Sequence, residues 1–102
     1  MRPPEEEIRL LVGEWLKKAD LDLKTVVRLS AESELRDIVG FHAKQAAEKY
    51  LKALLTRHQI EFPKTHVIRR LLILLEPVDP AMVKELDDAN WLSPFGAEIR
   101  YP

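Results

Sequence analysis

One edge of a predicted helix, within residues 41–55, carries the side chains with the most suggestive chemistry in the chain. At 100° per residue, Gln45, Glu48, Lys49 and Lys52 fall on the polar side of that helix, opposite a side rich in alanine and leucine. Lys49 and Lys52 lie about one turn apart, so both ammonium groups can reach one phosphate or two adjacent ones. The alternative is a surface ion pair between Glu48 and Lys52, in the favourable i, i+4 order.

The positive charge of the chain is concentrated in its middle third. Residues 42–70 carry seven basic and two acidic side chains, a net charge of +5, against -2 for residues 1–41 (seven minus nine) and -4 for residues 71–102 (two minus six). All three histidines, His42, His58 and His66, lie in the same third. Attraction for phosphate is therefore expected from this region, with ordinary solvation of helix faces as the alternative for each residue taken alone.

Two residues beyond that edge are further candidates for anion binding. His66 follows a predicted helix cap, near free backbone N–H groups, and Arg100 can make a bidentate contact with phosphate. An alternative is a structural latch, in which Glu48 pairs with Arg100 and Tyr101 belongs to the same contact. The candidate anion-binding residues are Gln45, Lys49, Lys52, His66 and Arg100.

Composition excludes several classes of site. The chain contains no cysteine, which excludes a disulfide, a cysteine-ligated metal centre and a thiol nucleophile. No two histidines have a metal-ligand spacing on one helix, so we expect neither a metal nor another cofactor. The longest apolar block, residues 71–75, is too short to span a membrane, and the first residues lack the apolar stretch of a secretory signal. We therefore expect a cytoplasmic protein without a membrane partner.

Apolar residues recur at three- and four-residue spacing through most of the chain and predict an all-α protein. Helices are expected over about residues 4–29, 33–58 and 80–92, with a short helix between Thr65 and Pro77. Ser33, Thr65 and Asp79 are the predicted N-caps. We expect a single domain, residues 1–102, folded as an antiparallel up-and-down helical bundle.

Several residues of these helices are interpreted as packing residues. Trp15, Tyr50 and Trp91 occupy core-like positions, so we expect them to pack rather than to serve as stacking platforms for bases. Gly13 is expected to allow a close neighbour. A second set of small residues predicts close helix approach along the second helix: Gly40, Ala43, Ala46 and Ala47.

The middle of the chain resembles the HEPN domain, a small helical family linked to nucleotides and RNA. Ten positions between Phe41 and Ala53 match a pattern common in that family: aromatic, x, A, x, Q, A, A, E, K, x, L, K, A. The proline and the TH pair before the third helix match at residues 63, 65 and 66, and a late RYP matches at residues 100–102. The resemblance extends from about Trp15 onward.

This resemblance implies a helical bundle that usually forms a homodimer, is often encoded beside a minimal nucleotidyltransferase, and has proposed roles in nucleotide or RNA binding. We therefore predict a nucleotide- or RNA-binding module that acts with a minimal nucleotidyltransferase partner, in a toxin–antitoxin-type system. A structural dimerisation domain with no ligand is one alternative, which the latch formed by Glu48 and Arg100 would favour.

A toxin-like endoribonuclease is the other alternative. The HEPN family includes a branch of ribonucleases. The resemblance implies that their active site would be an arginine and a histidine, separated by four to six residues, near the start of a long helix after RYP. We expect that last helix to be missing here, with any active pair beyond Pro102. Arg36 and His42 have the spacing, but they lie on the second helix and diverge by roughly 120°. We therefore assign no catalytic residue.

Overall fold

The computed structural model describes residues 4–89, with side chains up to Leu86, and these residues form four α-helices and no strand. Helix α1 spans Pro4–Leu29, α2 spans Arg36–Arg57, α3 spans Ile68–Leu75 and α4 spans Pro80–Ala89, and a 3-10 turn, Ser33–Leu35, precedes α2. The prediction of an all-α helical bundle is confirmed. The predicted end of the fourth helix, Trp91 and the RYP motif lie outside the described residues.

Helices α1 and α2 form a long antiparallel pair. Pro4, at the start of α1, borders the same cleft as Gln59, just after α2, whereas Asp22 contacts residues in the first two thirds of α2. Proline and three glutamates in the first turn of α1 suit the start of a helix and its dipole. Only Ala19 and Asp22 are buried among its 26 residues. Helix α1 therefore rests on α2 through a narrow strip.

The apolar core lies where the second half of α2 meets α3 and α4. Three leucines of α3 reach it because they recur at one- and three-residue steps on one face of that short helix. Burying a leucine side chain stabilises the folded state by about 1.5–3 kcal/mol, so these contacts hold a helix too short to be stable alone. The buried core residues are Leu51, Leu55, Leu71, Leu72, Leu75 and Val83.

One of the three predicted N-caps is confirmed. The Asp79 side chain accepts a hydrogen bond from the backbone N–H of Met82, 3.2 Å away, at the start of α4. Ser33 is wrong as the cap of α2, because it lies inside the 3-10 turn and α2 begins three residues later. Thr65 is wrong as the cap of α3, because its hydroxyl accepts the N–H of Val67, and α3 begins only at the next residue.

The small residues of the two long helices differ in their surroundings. On α2, Gly40, Ala43, Ala46 and Ala47 are all buried, as expected for a closely packed face. On α1, no atom lies within 4 Å of the position that a Cβ on Gly13 would occupy. The expectation of a close neighbour at Gly13 is therefore wrong.

Candidate functional site

Glu48 is a buried carboxylate on α2 that holds two nitrogen-bearing side chains. Its Oε2 atom lies 3.0 Å from Lys52 Nζ and 2.9 Å from His66 Nδ1. The Glu48 and Lys52 side chains are only 4% and 8% exposed, whereas the His66 side chain is 82% exposed. Because an ionised carboxylate only accepts hydrogen bonds, His66 donates its Nδ1–H to Glu48. Nε2 is then the ring nitrogen that is not bonded to Glu48. One buried oxygen thus orients an imidazole at the surface.

The Lys52 ammonium group is enclosed by aromatic rings as well as by the carboxylate. Its Nζ atom lies 5.4 Å from the centroid of the Trp15 ring and 5.9 Å from that of Phe62, and the two ring centroids are 6.2 Å apart. Such contacts stabilise a desolvated cation. The expectation of a surface ion pair between Glu48 and Lys52 is therefore corrected, because both partners are buried. Trp15 packs against Phe62, as its interpretation as a packing residue predicted.

A second carboxylate, Asp22, joins α1 to α2. Its two oxygens lie 2.8 Å from His42 Nδ1 and 2.6 Å from Lys49 Nζ. Burial alone would raise the pKa of Asp22, but hydrogen bonds from Lys49 and His42, together with their charges, outweigh it and lower that pKa below its usual 3.8. Nearby, the Tyr50 hydroxyl donates to Asp20 at 2.6 Å, which raises the pKa of Tyr50. These contacts fasten α1 along its polar flank.

The two lysines of the predicted anion site are held by different carboxylates. Lys49 bonds to Asp22 on α1, whereas Lys52 bonds to Glu48 on α2. The expectation that both ammonium groups are free to contact one phosphate is not met, because each already has an anionic partner. His42 is likewise bound to Asp22.

Gln45 and His66, two other residues of the predicted site, do come together. They line a recess of about 330 Å³ on the outer face of α2, together with Phe41, Lys44 and Glu48. The Phe41 side chain is 47% exposed, and no ion pair to Lys44 is found within residues 4–86. The sequence analysis did not assign Phe41 and Lys44 to the site. Their signal was the spacing 41, 44, 45, 48, which places four residues on one helix face.

The structure gives Glu48 a contact that the predicted latch did not include. Glu48 is buried and ties α2 to the segment before α3 through His66, rather than only along its own helix. Arg100 and Tyr101, the expected partners in the latch, lie outside the described residues. Their roles stay predictions from the sequence.

The fold and the recess together define a small all-α domain whose second helix supplies most residues of the structural ion pairs and of the recess. The family model described as HEPN domain matches residues 12–102, which is most of the chain. The chain therefore belongs to the HEPN family, as the matched residues predicted. A search of the curated proteins and of the solved structures finds no match. None of the helices within residues 4–89 is long and apolar enough to cross a membrane.

The Asp22 contacts predict a pH-dependent loss of stability in Asp22→Asn. We expect its free energy of unfolding at pH 7 to fall by about 1–3 kcal/mol, because Lys49 and His42 lose their carboxylate. The pKa of Asp22 is lower in the folded state than in the unfolded state, so its stabilisation is complete above about pH 5 and is lost as pH falls through 3.8 toward the folded value. The difference in free energy of unfolding between wild type and Asp22→Asn, measured by urea denaturation, should therefore become smaller as pH falls over that range.

Asp20→Asn is the matched control, because Asp20 lies on the exposed side of the same helix and makes one hydrogen bond to Tyr50. The free energy of unfolding of Asp20→Asn should fall by no more than about 0.5 kcal/mol. Equal losses in the two variants would contradict a special role for Asp22.

Glu48→Gln is expected to destabilise the fold by about 3–5 kcal/mol, because the buried Lys52 ammonium loses its carboxylate. Glu48→Gln/Lys52→Met removes both charges and places an apolar side chain against Trp15 and Phe62. That double variant should recover most of the loss in thermal and urea unfolding. A double variant as unstable as the single one would show that the buried pair is not the cause.

Proposed function

We propose that this HEPN protein is a nucleotide- or RNA-binding module whose ligand contacts the recess on α2. The HEPN family is associated with nucleotide or RNA binding or with RNase activity. The observation that carries the proposal is the convergence of an exposed phenyl ring, a lysine, a glutamine amide and an exposed imidazole around one recess. These are the groups that single-stranded nucleic acids require of a protein surface.

Each side chain has a distinct role in the proposed contact. The Phe41 ring offers a stacking surface for a base, because every base has an aromatic face. Lys44 and His66 contact phosphate oxygens, and the Gln45 amide can donate to and accept from the edge of a base. A recess of about 330 Å³ suits one nucleotide unit rather than a long duplex surface.

Lys52 and Lys49 support the proposed site indirectly. The Lys52 ammonium neutralises Glu48, so the carboxylate beneath His66 repels a phosphate less than an unpaired one would. Lys49 keeps α1 fastened to α2 beside Asp22. Arg100, which falls outside the described residues, stays a predicted phosphate contact.

The proposal predicts that labelled single-stranded RNA binds the wild type more tightly than Phe41→Ala or Lys44→Ala. We expect Phe41→Ala to weaken binding roughly tenfold, since loss of one stacked base costs about 1–3 kcal/mol. Lys44→Ala should weaken it and reduce its salt dependence, because one phosphate contact is removed. Fluorescence anisotropy at two salt concentrations, with labelled mononucleotides as a parallel series, measures both effects.

Lys24→Ala is the matched control, because Lys24 is an exposed lysine of α1 and does not line the recess. It should bind like wild type. Equal weakening of RNA binding by Lys24→Ala and Lys44→Ala would show that only the net charge of the protein matters. Unchanged binding in Phe41→Ala and Lys44→Ala would rule out the recess as the binding site.

The second part of the proposal is a homodimer formed through one flank of α1. HEPN domains commonly dimerise. Leu16, Leu23 and Val27 are 39%, 44% and 67% exposed, and at 100° per residue they fall within about 40° of one another. This flank borders an apolar groove of about 390 Å³, to which Leu23 and Val26 of α1 contribute. Exposed apolar side chains on one flank favour contact with a second copy over contact with solvent.

Leu23→Glu is expected to convert the dimer to monomer, because it places a charge in the centre of that surface. Leu21→Glu is the matched control: Leu21 is 60% exposed but points away from the flank, about 160° from Leu23. Size-exclusion chromatography with light scattering measures both masses. A monomeric wild type would contradict the homodimer, and a monomeric Leu21→Glu variant would contradict this location for the interface.

The remaining parts of the function stay predictions from the sequence. They are action with a minimal nucleotidyltransferase, a toxin–antitoxin-type context and a cytoplasmic location. If the wild type dimerises but binds neither RNA nor nucleotide, the structural dimerisation domain becomes the better account. Cleavage of RNA by the clean protein would instead favour the endoribonuclease.

A further inference from the structure

The attachment of His66 gives its imidazole an unusual combination of order and exposure. The Nδ1 atom lies 2.9 Å from the Glu48 carboxylate, whose side chain is only 4% exposed, so one edge of the ring is fixed to the interior. The rest of the His66 side chain is 82% exposed and borders the recess. The ring is therefore held in place, while Nε2 remains accessible to solvent or to a ligand.

Side chains of both charge signs lie around that imidazole in the free protein. From α2, Glu48 favours the protonated ring, whereas Lys52, bonded to the same Oε2 atom, and Lys44, which lines the recess, disfavour it. In the sequence, Lys64 precedes His66 by two residues, and Arg69 and Arg70 follow it in α3. A bound phosphate would add a negative charge directly at the recess.

We infer that binding of a phosphate-bearing ligand at the recess is coupled to uptake of one proton by His66 Nε2. This inference rests on the proposed function and adds its regulation by pH. The proton comes from solvent and no covalent bond forms or breaks. The resulting imidazolium donates Nδ1–H to Glu48 and Nε2–H to a phosphate oxygen, so it bridges the buried carboxylate and the ligand.

The direction of the pH effect follows from linkage. If the complex holds one more proton than the free protein and free ligand, affinity rises as pH falls. An imidazole ordinarily changes charge between pH 5 and 8, so the rise falls in that range. An opposite charge within hydrogen-bonding distance shifts such an equilibrium by tenfold or more, so we expect binding about tenfold tighter at about pH 6 than at about pH 8.

The test measures the affinity of labelled single-stranded RNA for the full chain across that pH range. The RNA carries no terminal phosphate, because a terminal phosphate titrates near pH 6 by itself. Calorimetry in two buffers with different ionisation enthalpies then counts the protons taken up on binding. We expect up to one proton per site near neutral pH, and a slope of affinity with pH that is the same at two protein concentrations.

Three variants separate His66 from other sources of a pH effect. His66→Gln keeps a polar side chain without a titrating group and should bind with the weak, high-pH affinity at every pH. His66→Lys keeps a positive charge throughout the range and should bind without the slope. His58→Gln removes an exposed histidine at the end of α2, outside the recess, and should keep the wild-type slope.

The possible outcomes distinguish the inference from the function on which it rests. RNA binding that is independent of pH, or that takes up no proton, overturns proton coupling and leaves the binding function in place. A slope that persists in His66→Gln overturns the assignment to this residue. Absence of RNA binding at every pH contradicts the proposed function and the inference together.

Discussion

The arrangement of the described residues depends on one buried carboxylate. A charge removed from water is costly unless it is paired and hydrogen-bonded, and Glu48 meets this condition through Lys52 and His66. Lys52 is in turn enclosed by two aromatic rings, one from α1 and one from the segment after α2. A single oxygen atom thereby connects the two long helices to the approach to α3. Glu48 and His66 also line the surface recess, so the buried contacts of Glu48 help to fix the geometry of that recess.

The same principle explains why the basic character of the middle third is misleading. Its net charge of +5 counts Lys49 and Lys52 as available cations. Asp22, which binds Lys49, belongs to the acidic first third and lies 27 residues earlier in the chain. Charge summed along a sequence cannot register such a partner, because helix pairing decides which charges meet. Within the middle third, Lys44 and His66 line the recess.

The helices could be predicted from the sequence far better than the contacts between them. The bounds of α1 follow from a proline, three acidic residues and a sustained apolar stripe, all of which are local. Ser33 and Thr65 were predicted as caps because their side chains suit a helix start. In the structure, Ser33 lies in a 3-10 turn, and Thr65 accepts a local hydrogen bond from Val67. The HEPN family could also be recognised from the sequence, and Gln45 and His66 were placed in one predicted site. Burial of Lys52 was not, because the rings that enclose it come from distant segments.

In the proposed site, a bound phosphate and a buried carboxylate share one imidazole. If a phosphate draws His66 toward itself, it competes with Glu48 for the same imidazole, and a ring bonded at Nδ1 alone would have to choose between them. A doubly protonated ring has two donors and satisfies both acceptors at once. Lys52 is bonded to the same Glu48 oxygen, so that carboxylate is already paired when the recess is empty. In the proposed site, the buried lysine therefore acts through the carboxylate beneath His66 and does not contact the ligand.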